Sequence, residues 1–327
     1  MKRIGNLFDQ LVSYETLLLA FRRAMKGCGR NRATCRFFFE LEPQILRLQE
    51  ELKTGSYRPG AYYFFTIHDP KKRIIAVAPF RDRVVHHAVV HVLIPVYEKV
   101  FIYDSYATRP AKGTHAAVLR AQKFTRHASW YLKTDIEKYF DSVDHAILLE
   151  ILRRKLKDRR LLALLELIIR NTPLPGKSIP VGNLTSQFLA NVYLDPLDHK
   201  IKDELRVRKY LRYMDDFVLF SHSKKELLSL RPEIEQFLFQ RLKLALKPGG
   251  TWINRSSHGL SFLGMRIFPR FIRVRPENRR RSLRRLDQKV RDWEDGKLDE
   301  ERMAQSLASI TGHLRYFCPG SKIRSFS

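Results

Sequence analysis

Leu211-Arg212-Tyr213-Met214-Asp215-Asp216-Phe217-Val218-Leu219-Phe220 sets two adjacent acids between two short apolar runs. Each run has the length and residue types of a buried β-strand, so the stretch reads as a hairpin with the Asp pair at its centre. Asp favours turns, and a plain tight turn is one explanation of the pair. A second acid in similar surroundings points to another. Tyr131-Leu132-Lys133-Thr134-Asp135-Ile136 places Asp135 at the end of a further apolar strand. Burying unpaired carboxylates is expensive, so acids in such places need a cation.

Carboxylates brought together from adjacent strands would hold two Mg²⁺ ions, with Mn²⁺ as a substitute. These are hard cations that take oxygen ligands and bridge substrate phosphates. Such a pair activates an attacking 3′-hydroxyl and stabilises a leaving pyrophosphate in an in-line displacement. The charge balance points independently to a polyphosphate partner. The chain has 327 residues, with 61 Lys and Arg against 34 Asp and Glu, a formal charge of +27. With 44% hydrophobic and 11% aromatic residues it can bury a core, so the charge sits on a folded protein and not on a disordered basic tail. Its length predicts two or three lobes. An excess of Lys and Arg this large gains affinity by releasing counterions from phosphates.

Other classes find little support. No apolar run reaches the roughly 18–20 residues that span a bilayer, and the start, Met1-Lys2-Arg3-Ile4-Gly5-Asn6, lacks the apolar stretch of a signal peptide. No membrane association and a cytoplasmic location are the expectation. Cys28, Cys35 and Cys318 are too few and too scattered for a disulfide framework or a zinc site. His86, His87 and His91 share helical spacing, but no nearby acid or cysteine completes a zinc set.

Along the chain, residues 6–53 read as helical with a basic loop from Lys26 to Arg36, and Tyr62–Ile67 with Arg73–Ala78 reads as a hairpin with a basic tip. Arg81–Phe101 reads as a buried helix. Asp144 is a natural N-cap for a helix to about Leu156, and Leu161–Ile169 is a second helix. After a loop at 173–181, helices are predicted from Gly182 through Leu197 and over 224–243, short strands near 250–274, and helices at about 278–293 and 299–317.

Tyr213-Met214-Asp215-Asp216 resembles the Tyr-x-Asp-Asp signature of reverse transcriptases, and Asp135 followed by Phe140-Asp141-Ser142-Val143 is similar to their first acidic motif. Most reverse transcriptases carry Gln-Gly-x-x-x-Ser-Pro where this chain has Val181-Gly182-Asn183-Leu184-Thr185-Ser186-Gln187. Val181 and Gln187 match the variant found in the enzymes of diversity-generating retroelements. Asp104-Ser105-Tyr106-Ala107-Thr108-Arg109-Pro110-Ala111-Lys112-Gly113 also looks like that family.

The resemblance implies an α+β right-hand polymerase fold: N-terminal helices and fingers over 1–128, a palm of antiparallel sheet and helices over 129–266 with 146–179 as a fingers insertion, and a basic helical thumb over 267–327. It implies Asp135, Asp215 and Asp216 as catalytic acids, with the Ile136 carbonyl as a further metal contact. Because successive strand residues point to opposite faces, Asp216 ranks below Asp135 and Asp215 as a direct ligand.

The same resemblance assigns Phe140 as a gate against a ribose 2′-hydroxyl, with an ordinary core Phe as the plain alternative. Lys71 and Arg73 on the basic hairpin would clasp a deoxynucleoside triphosphate, Arg with a bidentate contact, while a solvated basic turn also explains the lysines. Val181, Gln187 and Lys247 would border the nucleotide. Val181 offers only apolar contact where Gln would place a polar one, and the absence of one such hydrogen bond removes about 1–3 kcal/mol of discrimination. Error-prone copying with misincorporation at adenines is the implied outcome. Gly264, in Gly259-Leu260-Ser261-Phe262-Leu263-Gly264, resembles a turn that grips the primer end.

From Arg270 to Arg291, ten cations stand against Glu277 and Asp287. Arg280, Arg281, Arg284 and Arg285, with Lys289, are placed to lie along an RNA/DNA heteroduplex backbone. Template RNA and a small basic helical accessory protein, oligomeric, are the further implied partners. A retron-type or other bacterial reverse transcriptase of ordinary fidelity is the nearest rival. A group II intron enzyme is disfavoured by an end at Ser327, which leaves no room for a further DNA-binding, nuclease or RNase H domain. A non-catalytic RNA-binding scaffold is the rival from another class, but a binding module has no use for three uncompensated acids beside phosphate.

Overall fold

The computed structural model describes residues 3–26, 32–68, 72–172 and 174–317. Four helices open the chain: α1 (Phe8–Leu11), α2 (Tyr14–Met25), α3 (Arg32–Phe39) and α4 (Leu41–Thr54). Ser13 caps α2 by accepting from Thr16 N. The α2 residues Leu17, Ala20, Phe21 and Ala24 recur at helical spacing and are buried. The expected basic loop from Lys26 to Arg36 gives way to helix from Arg32 onward. The reason is apolar: Phe37 packs on Phe21 and Phe80 with ring centroids 5.6 and 5.3 Å apart.

The strands β1 (Tyr63–Ile67) and β2 (Arg73–Val77) form the expected antiparallel hairpin, in register from Tyr63↔Val77 to Ile67↔Arg73. Its tip, with Lys71, lies outside the described residues, as do Cys28 and Cys318. The buried helix α5 (Phe80–Tyr97) follows. Residues 114–126 show no clear helical signal in sequence, yet α6 (Thr114–Arg126) forms there and buries Ala117, Val118, Ala121 and Phe124.

Next comes β3 (Trp130–Thr134), then the short α7 (Tyr139–Ser142), α8 (His145–Lys155) and α9 (Arg159–Arg170). Asp144 caps α8 as expected, accepting from Ala146 N and Ile147 N, and Asp158 caps α9 through Leu161 N. The helix α10 (Leu184–His199) runs into a π-helical turn at Lys200–Glu204. Then follow β4 (Tyr210–Tyr213), β5 (Asp216–Ser221), α11 (Lys224–Leu242) and β6 (Trp252–Arg255). The small strands β7 (Leu260–Phe262), β8 (Met265–Ile267) and β9 (Ile272–Val274) precede the terminal helices α12 (Pro276–Glu294) and α13 (Glu300–Phe317).

The central sheet has the order β4-β5-β3-β6, every pair antiparallel. Strand alternation explains its uninterrupted apolar sequence. Leu132, Tyr210, Phe217 and Leu219 point into the main core shared with α5, α10 and α11. Tyr131, Leu211, Val218 and Phe220 point into a second core under α6 and β7–β8. Both faces of β5 are covered, so both sets of its residues must be apolar. The strands expected near 250–274 split accordingly: β6 extends the central sheet, while β7-β8-β9 form a separate sheet.

Candidate active site

The register of the central sheet sets the acids side by side. Thr134 pairs with Phe217, so one further step places Asp135 level with Asp216, while Tyr213↔Asp216 leaves Met214 and Asp215 as a two-residue turn. Met214 takes a left-handed φ of 58°. Past β3, Ile136 forms an isolated bridge with Leu246. That bridge uses the Asp135 carbonyl, which accepts from Lys247 N, and the Glu137 amide, which donates to Ala245 O, both at 2.9 Å. It does not use the Ile136 carbonyl.

The three acids are not equivalent. Burial first, and then the neighbouring Asp135 and Asp216, raise the Asp215 carboxyl from 3.8 to about 7. Burial also pushes Asp216 up to about 6, with Lys133 pulling it down. Lys133 Nζ stands 2.9 Å from Asp216 Oδ1, yet that buried oxygen receives no well-directed hydrogen bond. Lys247 Nζ approaches Asp135 Oδ2 at 3.8 Å from a half-exposed position. Among the described residues, no three His, Cys, Asp or Glu side chains converge as a ready metal cage. Asp216 is turned to Lys133, which leaves Asp135 and Asp215 facing each other. Two crowded carboxyl groups, one of them raised this far, have the donor chemistry of a hard divalent cation site. Lys133 escaped the sequence reading, although alternation along Lys133-Thr134-Asp135 already sets it on the same face as Asp135.

The residues expected at the nucleotide are stitched together by backbone contacts. Ile179 N donates to Phe140 O at 2.9 Å, and Ala76 N donates to Val181 O at 2.8 Å. Asn183 Nδ2 donates to Ala76 O at 3.1 Å. Strand β2, the Val181 loop and the Phe140 turn therefore form one continuous wall. Gly182 makes this approach possible: with φ 115°, an added Cβ would sit 2.7 Å from Ile75 Cγ2 and 2.9 Å from Ala76 O. Phe140 is half-buried, packed against the core and edge-on to Tyr139 at 5.7 Å, so it has both a core contact and an open side. Gln187 sits in the first turns of α10 and accepts from Thr108 Oγ1 at 3.4 Å. Arg73 is exposed at the start of β2. The histidines of α5 make no metal set: His86 is buried and pushed down to about 4 by burial, and His91 Nδ1 meets Arg23 Nη1 at 3.0 Å.

On the other side, β7 and β8 are joined by Leu263 and Gly264, both at positive φ. The Gly264 carbonyl accepts from Asn278 Nδ2 at 3.0 Å and from Arg275 N at 3.1 Å, fastening the turn to the start of α12. Arg280, Arg281, Arg284 and Arg285 line one open groove of about 500 Å³ with Glu277 and Gln288. Lys289, expected on the same face, is not among its lining residues and stands 3.8 Å from Asp292.

Acids at the end of one strand and in the turn leading into its antiparallel neighbour, in a sheet packed against helices and flanked by a hairpin before and a basic helix after, define a right-hand polymerase fold. Solved structures carry the same fold. Apo telomerase from Candida tropicalis, truncated from its C-terminal domain, matches with a TM-score of 0.52 at 12% identity, over 69% of this chain and 59% of that one. Telomerase from Candida albicans in complex with a telomeric RNA fragment matches with a TM-score of 0.52 at 11% identity, over 68% of this chain and 47% of the other.

The family model for reverse transcriptase (RNA-dependent DNA polymerase) matches residues 67–267, and the chain belongs to that family. Among curated proteins it is similar to Protein YkfC of Escherichia coli K12, 27% identical over an alignment of 286 residues that covers 73% of this chain and 74% of YkfC. It is also similar to the group II intron-encoded protein LtrA of Lactococcus lactis subsp. cremoris, 25% identical over 298 residues. That match takes in 69% of this chain and spans only half the length of LtrA. Among the described residues, no helix is long and apolar enough to cross a membrane.

Proposed function

We propose that this chain is an RNA-directed DNA polymerase that extends a primer with deoxynucleoside triphosphates along an RNA template, and that Asp135 and Asp215 carry the reaction. The observation behind this reading is the Asp135–Asp215 pair at the strand edge, where burial and mutual repulsion hold Asp215 up near 7. Asp135, Asp215 and the Ile136 carbonyl would hold Mg²⁺, with Mn²⁺ as a substitute. Bound there, a divalent cation supplies Lewis-acid stabilisation of the attacking and leaving oxygens. Asp216, paired with Lys133, flanks the Asp135–Asp215 pair. The wall of Arg73, Phe140 and Val181 would bind and orient the triphosphate, with Phe140 packing under the sugar, while the α12 groove follows the heteroduplex backbone. Primer extension on an RNA template tests this. Wild-type synthesis that disappears with EDTA and in Asp215→Ala is expected; RNA binding without metal-dependent synthesis would leave the scaffold reading standing.

The finer reading is an error-prone enzyme of the diversity-generating retroelement type, working on a structured template RNA with a small basic helical accessory protein. Val181 and Gln187 support it, since Val181 stands in the seam between β2 and the palm with only aliphatic atoms to offer. Its test is misincorporation opposite template adenine, which Val181→Gln is expected to lower. A retron-type or other bacterial enzyme of ordinary fidelity is the second reading, and the likeness to an intron-encoded protein is equally compatible with it. Equal error rates opposite all four template bases would select it.

A further inference from the structure

The turn that carries Asp215 is held from below by an arginine. Arg212 is completely buried, and so is Asp198. The guanidinium forks onto that carboxylate, Nε to Oδ1 at 2.8 Å and Nη2 to Oδ2 at 2.6 Å. Asp198 Oδ1 also accepts from Tyr210 OH at 2.6 Å. The remaining prong, Nη1, donates to two oxygens at 3.0 Å: Asn191 Oδ1 and the carbonyl of Met214. Asn191 is anchored in turn through Nδ2 to Ala107 O at 2.8 Å. The Arg212 backbone is fixed as well, its amide donating to Asp104 O and its carbonyl accepting from Tyr106 N.

Stability alone does not account for this arrangement. A buried ion pair is commonly no more stabilising than apolar residues of the same volume. What a guanidinium adds is a rigid planar fork whose prongs have fixed relative directions. Here two prongs are set by α10, and the third therefore sets where the Met214 carbonyl stands. Met214 is the residue before Asp215 and holds a left-handed φ of 58°, a conformation that disfavours a long side chain and needs outside support.

We propose that Arg212 is the positioning residue of the Asp215 turn: by gripping the Met214 carbonyl from the Asp198–Asn191 frame of α10, it aims Asp215 at Asp135 so that the divalent-cation site is assembled in advance. The inference rests on the reading of Asp135 and Asp215 as that site. Arg212 touches neither substrate nor reacting atoms; it acts through the backbone of the turn.

Two variants test it. Arg212→Lys keeps a charge opposite Asp198 but cannot also reach Met214. The combination Arg212→Met, Asp198→Leu and Tyr210→Phe removes the whole ion pair, leaves no buried charge unpaired and is expected to fold. Binding of Mn²⁺, measured by electron paramagnetic resonance without nucleic acid, is the primary readout, with thermal unfolding as the control for folding. Both variants are expected to bind Mn²⁺ about tenfold more weakly, the size typical of residues that orient metal ligands. The Mg²⁺ concentration for half-maximal primer extension should rise by the same factor, with the KM for template–primer unchanged. Wild-type Mn²⁺ affinity in the folded triple variant would overturn the positioning role and leave the site reading intact. A wild-type protein that binds no Mn²⁺, or binds it equally well as Asp215→Ala, would overturn both.

Discussion

Asp215→Asn is expected to make the metal-free protein more stable above neutral pH while abolishing synthesis. The Asp215 carboxyl is raised from 3.8 to about 7, by burial first and then by Asp135 and Asp216. A group with a raised folded-state pKa contributes stability that is fully present below its unfolded value and is lost as pH rises through the folded one. The wild type therefore loses stability between pH about 4 and about 7, as Asp215 is forced to ionise beside Asp135. The rise corresponds to roughly 4 kcal/mol, which solvent at this half-buried site screens to about 2 kcal/mol. An amide bears no such cost. In a protein of 327 residues that is about 3 °C in melting temperature.

Thermal unfolding in EDTA at pH 5 and pH 8 should show the advantage of Asp215→Asn growing with pH. Mg²⁺ at pH 8 should then raise the wild type and leave the variant where it was. A difference that does not change with pH, or a variant less stable than wild type at pH 8, would refute the electrostatic account of the site.

Gly182→Ala should weaken triphosphate use, raising the KM for nucleotides and lowering stability by about 1–3 kcal/mol, because its Cβ meets Ile75 and the Ala76 carbonyl at a φ that disfavours side chains; steady-state kinetics beside a melting curve check both. Replacing Arg280 and Arg284 with Gln should lower the slope of log affinity against log salt for an RNA/DNA duplex by roughly 0.9 for each phosphate left without its cation, and an unchanged slope would remove the α12 groove from the duplex path. Asp158→Ala should cost about 2 kcal/mol, since one carboxylate caps α9 at Leu161 N and also accepts from Leu7 N and Phe8 N; chemical denaturation measures it, and faster hydrogen exchange in α1 should accompany it.

Much of this architecture is legible in the sequence because its signals are local. The β4–β5 hairpin, β1–β2, the Asp144 cap and the buried α5 each follow from periodicity or from one capping residue. The helix α6 carries its own signal in the spacing of Ala117, Ala121 and Phe124, hidden among His115, Arg120 and Lys123. What cannot be read there is set by distant contacts. The α3 segment looks like a basic loop until Phe37 meets Phe80, and β6 is told apart from β7 only by partners more than a hundred residues away in β3. The same holds for the site. The acids stand out in sequence because they interrupt apolar strands. Arg212 does not, because a cation before an aromatic residue reads as a strand's exposed position until Asp198 and Asn191 close around it. Gly182 reads as the opening of a helix, whereas its close approach to Ala76 depends on a strand about a hundred residues earlier.

Single-nucleotide incorporation tests the central claim most directly. A DNA primer annealed to an RNA template is offered one deoxynucleoside triphosphate at a time with Mg²⁺, using the wild type, Asp135→Asn and Asp215→Asn. The wild type is expected to add the nucleotide complementary to the next template base, and both variants to add none while still binding the template–primer. Extension by either variant at the wild-type rate, or no extension by a wild type that binds the duplex, would contradict the claim.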